Sequence, residues 1–202
     1  MFNGILNVYK EAGYTSNDVV ARLRGILRQK KIGHTGTLDP AAVGVLPVLL
    51  GNACRLSEYM TNHDKTYLAV VRLGVETDTE DMTGTVLKEA DISSLDETSA
   101  ADAVLSFQGG YNQVPPMYSA KQINGKRLYD LAREGKVIER QPVRVQIPHI
   151  AVENVHLPYV TMTVDCSKGT YIRTLCADIG KKLGCGGAME SLKRVRVGDF
   201  HI

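Results

Sequence analysis

No C-x-x-C pair occurs in this chain, and its four cysteines, Cys54, Cys166, Cys176 and Cys185, are scattered. Zinc sites gather their ligands at short spacing, and disulfide frameworks belong to small secreted domains. The thiols therefore read as buried or bystander groups, and no metal is expected. Long hydrophobic runs are missing too. The richest, Ala41 to Leu50, is broken by Gly44 and Pro47 and is too short to cross a bilayer. Residues 1–10 lack the basic stretch and apolar core of a secretory signal, so a cytoplasmic location is expected. Net charge is also scarce, +2 over 202 residues, and by itself it identifies no partner.

What is present is the composition of a globular chain, 44% hydrophobic and 23% charged, too apolar for disorder. The charges are segregated. Basic residues gather at Arg22, Arg24, Arg28, Lys30 and Lys31, at Lys121, Lys126 and Arg127, and at Lys193, Arg194 and Arg196. Acidic residues concentrate between Glu76 and Asp102. Such separation can offer a basic face to a polyanion, although similar clusters also occur as plain solvated helix faces.

Ile5 to Tyr9 reads as a strand. Thr15 and Ser16 offer N-cap hydroxyls, with Asp18 placed to complete the cap. Val19, Val20, Leu23, Ile26 and Leu27 then recur at helical spacing, with arginines on the other side. Gly33 to Pro40 is dense in Gly, Thr, Asp and Pro and reads as a loop. Strands are expected at Thr66 to Leu73, Thr85 to Leu87, Val143 to Ile147, Ile150 to Val155, Tyr159 to Asp165 and Leu192 to Phe200. Helices are expected at Asp96 to Phe107, around Leu128 to Ala132, and at Thr170 to Leu183 with Gly184 as stop signal. Gln113 to Tyr118, with two prolines, is irregular, and Asn124-Gly125 is a hairpin turn. The mixed order of strands and helices argues for an α+β domain with a large sheet.

Two segments carry chemistry. In Gly33-His-Thr-Gly-Thr-Leu-Asp-Pro40, tight turning and Pro40 hold Asp39 on a constrained loop before an apolar run. A carboxylate so placed suits a nucleophile or base, but it equally suits an Asx turn that caps backbone amides. The glycine spacing matches neither phosphate-binding fingerprint. In Cys166-Ser-Lys-Gly-Thr-Tyr-Ile-Arg173, at a strand-to-helix junction, Tyr171 and Arg173 could stack on a base and pair with a carboxylate. They could also be a half-buried tyrosine beside a solvated arginine.

These segments resemble the TruB (pseudouridine-55) family of tRNA pseudouridine synthases. Gly33 to Pro40, with Gly44-Val-Leu-Pro and Gly51 following, resembles the family's catalytic-aspartate motif. Lys65-Thr-Tyr67 is similar to its K-x-Y strand, and Gln113-Val-Pro-Pro-Met-Tyr-Ser-Ala, with Lys121, Gly125 to Tyr129 and Ala132-Arg133, to its next signature. Cys166 to Arg173 matches the motif with a second tyrosine and an arginine, and Leu192-Lys-Arg with Val197 to Phe200 resembles the domain's end. One departure is Glu11, where the family has proline after the lysine.

The resemblance implies a pseudouridine synthase fold, a large mixed and mainly antiparallel sheet flanked by helices and loops around a central RNA-binding cleft. It implies that residues 1–202 form the catalytic domain and that the PUA-like C-terminal RNA-binding domain typical of relatives is absent. The implied reaction isomerises uridine to pseudouridine in the tRNA T-arm, in a monomer, with no cofactor, metal or membrane. By resemblance Asp39 is the catalytic carboxylate, Arg173 pairs with it, and Tyr171 assists proton removal from C5. His34 supports the flipped-out base, Tyr67 stacks on it and Leu192 lines its pocket. The basic clusters contact phosphates. The main alternative is a non-catalytic or weakly catalytic RNA-binding or RNA-folding module of the same fold; a small-molecule enzyme using the loop for phosphate is a more distant one.

Overall fold

The computed structural model describes residues 1–119, 121–123 and 125–202. Asn124 of the expected hairpin turn and Ala120 of the Gln113 motif lie outside the described residues. The chain opens with β1 (Gly4–Lys10), α1 (Ser16–Leu27), β2 (Ile32–His34), β3 (Val43–Leu50) and, after a short 3-10 turn, α2 (Ser57–Thr61). It continues through β4 (Lys65–Leu73), β5 (Val75–Thr77), β6 (Val86–Glu89), α3 (Glu97–Leu105), β7 (Tyr111–Gln113), β8 (Gln122–Ile123), β9 (Lys126–Arg127) and α4 (Leu128–Arg133). It ends with β10 (Val143–Val145), β11 (His149–His156), β12 (Tyr159–Cys166), α5 (Ile172–Leu183), β13 (Gly187–Val197) and β14 (Phe200–His201).

An eight-stranded sheet has the path β1-β3-β13-β4-β12-β11, with β2 on β3 and β14 on β13. It is mixed and mainly antiparallel: β1 and β2 run against β3, whereas β13 runs parallel to it. The fold is α+β. Residues cluster in two compact units, the first Met1–Leu68, Val164–Lys168 and Ser191–Ile202, the second Ala69–Thr163 and Gly169–Glu190.

In the first unit, α1 starts where the sequence signals it. Thr15 accepts from the Asp18 amide at 3.0 Å, and Asp18 in return accepts from the Thr15 amide at 2.8 Å. Such a reciprocal cap is worth about 1 kcal/mol. Val20, Ile32, Leu46, Val48 and Leu50 form the core, with Val8, Val19, Leu23 and Leu27 packed against it. Burying each large aliphatic stabilises by roughly 1.5–3 kcal/mol. Ile26, expected on this stripe, is exposed instead. It sits at the stripe's edge in the helix's last turn, where Leu23 and Leu27 already supply the contact. The expected loop at Gly33 also begins later, because Gly33 and His34 pair with Leu49 and Val48.

In the second unit, α3 packs against β11 and α5, burying Ala100, Ala103, Val104, Ile150, Leu175 and Ile179. Helix α5 begins at Ile172 rather than Thr170, since Tyr171 is its extended N-cap, and Gly184 ends it in the left-handed conformation at φ 77°. Strand β5, unforeseen, pairs with β6. Strand β13 begins at Gly187, earlier than expected, and there Met189 bonds to Glu80 and Met82 of an irregular loop. Strands β8 and β9 pair as the hairpin required.

Candidate active site

Asp39 lies on the segment joining β2 to β3, and almost every backbone group around it is already committed. The Ser16 hydroxyl accepts from the Leu38 amide at 2.9 Å and donates to the Leu38 carbonyl at 3.3 Å. The Pro40 carbonyl accepts from the Gly13 amide at 2.9 Å and from Lys10 Nζ at 3.2 Å. The Asp39 carbonyl accepts from the Ala42 amide at 3.0 Å. Asp39 itself is half-buried, and Leu38 and Ala42 beside it are buried.

Two buried cations hold this segment. Lys10, fully buried, also donates to the carbonyls of Glu11 at 3.0 Å and Tyr14 at 2.7 Å. Glu11 thus still serves the lysine through its backbone although it is not proline. Arg194, 1% exposed, donates to the carbonyls of Val45 at 2.8 Å, Thr37 at 3.3 Å and Gly36 at 3.2 Å. The sequence placed Arg194 among phosphate contacts; its burial excludes that. Two residues beyond Leu192 on β13, Arg194 lies on the same face of the sheet. Both are buried.

Gly44 lets the two strands meet. At φ +114° it pairs with Arg194, and a Cβ there would lie 2.1 Å from the Arg194 carbonyl. Tyr67 is buried in the same unit; burial pushes its phenol up, and the Arg194 charge opposes that shift. His34, half-buried, has its imidazole held below the usual range, first by burial and then by Arg194. Burial likewise lowers the Lys65 ammonium, and Arg194 adds to the effect. Lys10 is lowered by burial and by Arg194, while the Asp39 carboxylate draws it back up. His34, Asp39, Tyr67 and Leu192 therefore belong together in the first unit. Arg196, another expected phosphate contact, bonds Thr66 at 2.7 Å and Asp165 at 3.2 Å.

Tyr171 and Arg173 belong to the second unit. The Gln113 amide, almost fully buried, brackets the Tyr171 backbone: its oxygen accepts from the Tyr171 amide at 2.8 Å and its nitrogen donates to the Tyr171 carbonyl at 3.0 Å. Arg173 is buried at the start of α5, where it donates to the carbonyls of Thr79 at 3.0 Å and Tyr118 at 2.8 Å. Its Nε lies 3.8 Å from the Asp81 carboxylate. Asp81 is itself fixed by Thr79 at 2.8 Å and by the Thr83 amide at 3.0 Å. Glu80 between them has φ +63° and accepts from the Thr174 hydroxyl at 2.5 Å. Its carboxyl is pushed up by burial, with the Thr174 bond and Arg173 opposing. Lys10, Asp81, Gln113 and Arg194 were not singled out from the sequence as parts of this framework.

Among the described residues no group of three or more His, Cys, Asp or Glu is placed to hold a metal ion. No helix among them is long and apolar enough to cross a membrane.

Residues 24–172 match the family described as TruB family pseudouridylate synthase (N-terminal domain), and residues 173–202 match the tRNA pseudouridylate synthase B C-terminal domain. A tRNA pseudouridine synthase B of Clostridium kluyveri is 50% identical over 200 residues, covering 99% of this chain and 69% of the relative. One from Clostridium novyi is 53% identical over 199 residues, covering 98% and 68%. Among solved structures, a Cbf5-Nop10-Gar1 complex superposes with TM-score 0.77 at 31% identity, covering 98% of this chain and 50% of that one. An H/ACA RNP bound to a substrate RNA containing 2'-deoxyuridine gives 0.72 at 28%, covering 98% and 48%. The chain thus spans about half the length of these two solved relatives. With a family match running through the Asp39 segment and on to Ile172, and half the residues shared with the clostridial proteins over nearly the whole chain, this chain belongs to the TruB family of pseudouridylate synthases.

Proposed function

We propose that this chain isomerises uridine to pseudouridine in the T-arm of tRNA, at position 55, with Asp39 as the catalytic carboxylate. The observation that carries this reading is the locked Asp39 segment, with His34, Tyr67 and Leu192 in the same unit, in a member of this family. The N1–C1′ bond breaks, the uracil turns, and C5 bonds to C1′ as its proton is lost and N1 gains one. Atoms and electrons balance within the nucleotide, so the reaction calls for no redox cofactor or hydrolytic water.

The target base must leave its loop before a carboxylate can reach it. His34 supports that arrangement, Tyr67 stacks on the flipped base for about 1–3 kcal/mol, and Leu192 lines its pocket. Arg173 serves as the partner of Asp39, and Tyr171 assists removal of the C5 proton. Exposed Arg22, Arg28, Lys30, Lys31 and Lys126 contact phosphates; the side chain of Arg127 lies outside the described residues. Recognition comes mainly from the shape of the stem-loop. The enzyme works as a cytoplasmic monomer, where its tRNA is found.

The test is pseudouridine formation by this chain in an unmodified T-arm stem-loop. Product at the T-arm uridine is expected, with RNA affinity that falls steeply with salt. Binding without product would instead favour the RNA-folding module.

A further inference from the structure

We propose that Arg194 is a positioning residue that fixes the Asp39 loop against β13. The inference rests on the functional reading above. The guanidinium bonds the Gly36 and Thr37 carbonyls before Asp39 and the Val45 carbonyl after it. One rigid planar group therefore ties both ends of the loop, a geometry that a lysine ammonium on its flexible stem does not reproduce. The anchor beneath it is equally firm. The Arg194 backbone pairs with Gly44, where any side chain on the glycine would collide with it.

Burial of a guanidinium is unfavourable unless its donors are used, and here they are spent on the irregular backbone that presents Asp39. A surface phosphate contact would need the opposite, an exposed side chain. Lys10 and Ser16 hold the loop from its other flank, so Arg194 is the brace on the β13 side.

The test compares wild type, Arg194→Lys and Arg194→Met in three measurements: single-turnover pseudouridine formation at saturating T-arm stem-loop, stem-loop Kd, and hydrogen exchange of residues 35–42. Asp39→Asn is run alongside. Displacement of about 1 Å at a reacting group costs on the order of 100-fold in rate, so Arg194→Met should lose about that much and Arg194→Lys about 10-fold. Kd should stay within about threefold, and the loop amides should exchange faster in both variants. A merely structural arginine would instead lower rate and affinity together. If Arg194→Met does not fold, Arg194→Lys decides. A wild-type rate in Arg194→Lys, or unchanged loop exchange, would overturn the proposal. Turnover by Asp39→Asn would overturn the functional reading, while the exchange data would still show whether Arg194 braces the loop.

Discussion

The two units hold their candidate catalytic residues with different sets of partners. In the first, Lys10 and Arg194 are fixed by backbone carbonyls. In the second, Arg173 donates to the Thr79 and Tyr118 carbonyls with the Asp81 carboxylate beside it, and Tyr171 is gripped by the neutral Gln113 amide. A cation held by carbonyl dipoles keeps its full charge, whereas one facing a carboxylate is locally offset. The consequence is visible around Arg194, whose field pulls Lys10, His34, Lys65 and Tyr67 all downward. The Asp39 loop thus lies against a buried positive charge, while the second unit places the Asp81 carboxylate 3.8 Å from its guanidinium.

Breaking the first arrangement should have the largest effect on stability. Gly44→Ala forces a side chain into the Arg194 backbone at a φ that L-residues avoid, and should cost about 3 kcal/mol or more in urea unfolding. Gly36→Ala, whose added Cβ meets Arg194 Nη1 at an ordinary 3.7 Å, should change stability by less than about 1 kcal/mol. Equal costs would mean that close approach to Arg194 is not what Gly44 supplies.

The amide grip in the second unit comes next. Gln113→Leu preserves bulk but strips both backbone partners from Tyr171, and should cost about 2 kcal/mol. Gln113→Glu, which keeps the acceptor and loses the donor, should fall between. Loss from Gln113→Leu smaller than from Gln113→Glu would show that the grip is dispensable.

The smallest effect concerns Glu80 and depends on pH. Its carboxyl is raised by burial, so the folded chain binds that proton more tightly than the unfolded chain. The stabilisation is complete below the ordinary carboxyl value and is lost as pH rises through the raised one. Glu80→Gln resembles the protonated form. Its Tm should exceed wild type at neutral pH, and the gap should close as the solution is acidified. A gap that widens on acidification would reverse the assignment.

Much of the scaffold was legible because its signals are local. The Thr15–Asp18 cap, the alternation in β4 and β12, and Gly184 each act within a few residues of where they are read. The candidate residues His34, Asp39, Tyr67, Tyr171, Arg173 and Leu192 were reached through motif resemblance. Spacing alone left Asp39 open to a plain turn role. The bracing side chains were missed because their partners are remote. Arg194 meets Val45 across 149 positions and Gln113 meets Tyr171 across 58, and nothing in a basic cluster distinguishes a buried arginine from a solvated one. The late start of α5 was missed for a related reason: Tyr171 is held extended by Gln113, so helical periodicity cannot mark the boundary.

The central claim is that Asp39 carries the reaction. Wild-type chain and Asp39→Asn should be compared on the same T-arm stem-loop for pseudouridine formed and RNA bound. Asp39→Asn keeps the size of the side chain and loses only the carboxylate. The account predicts product from the wild type alone, with RNA affinity retained in both. Pseudouridine formed by purified Asp39→Asn at a rate near wild type would contradict it.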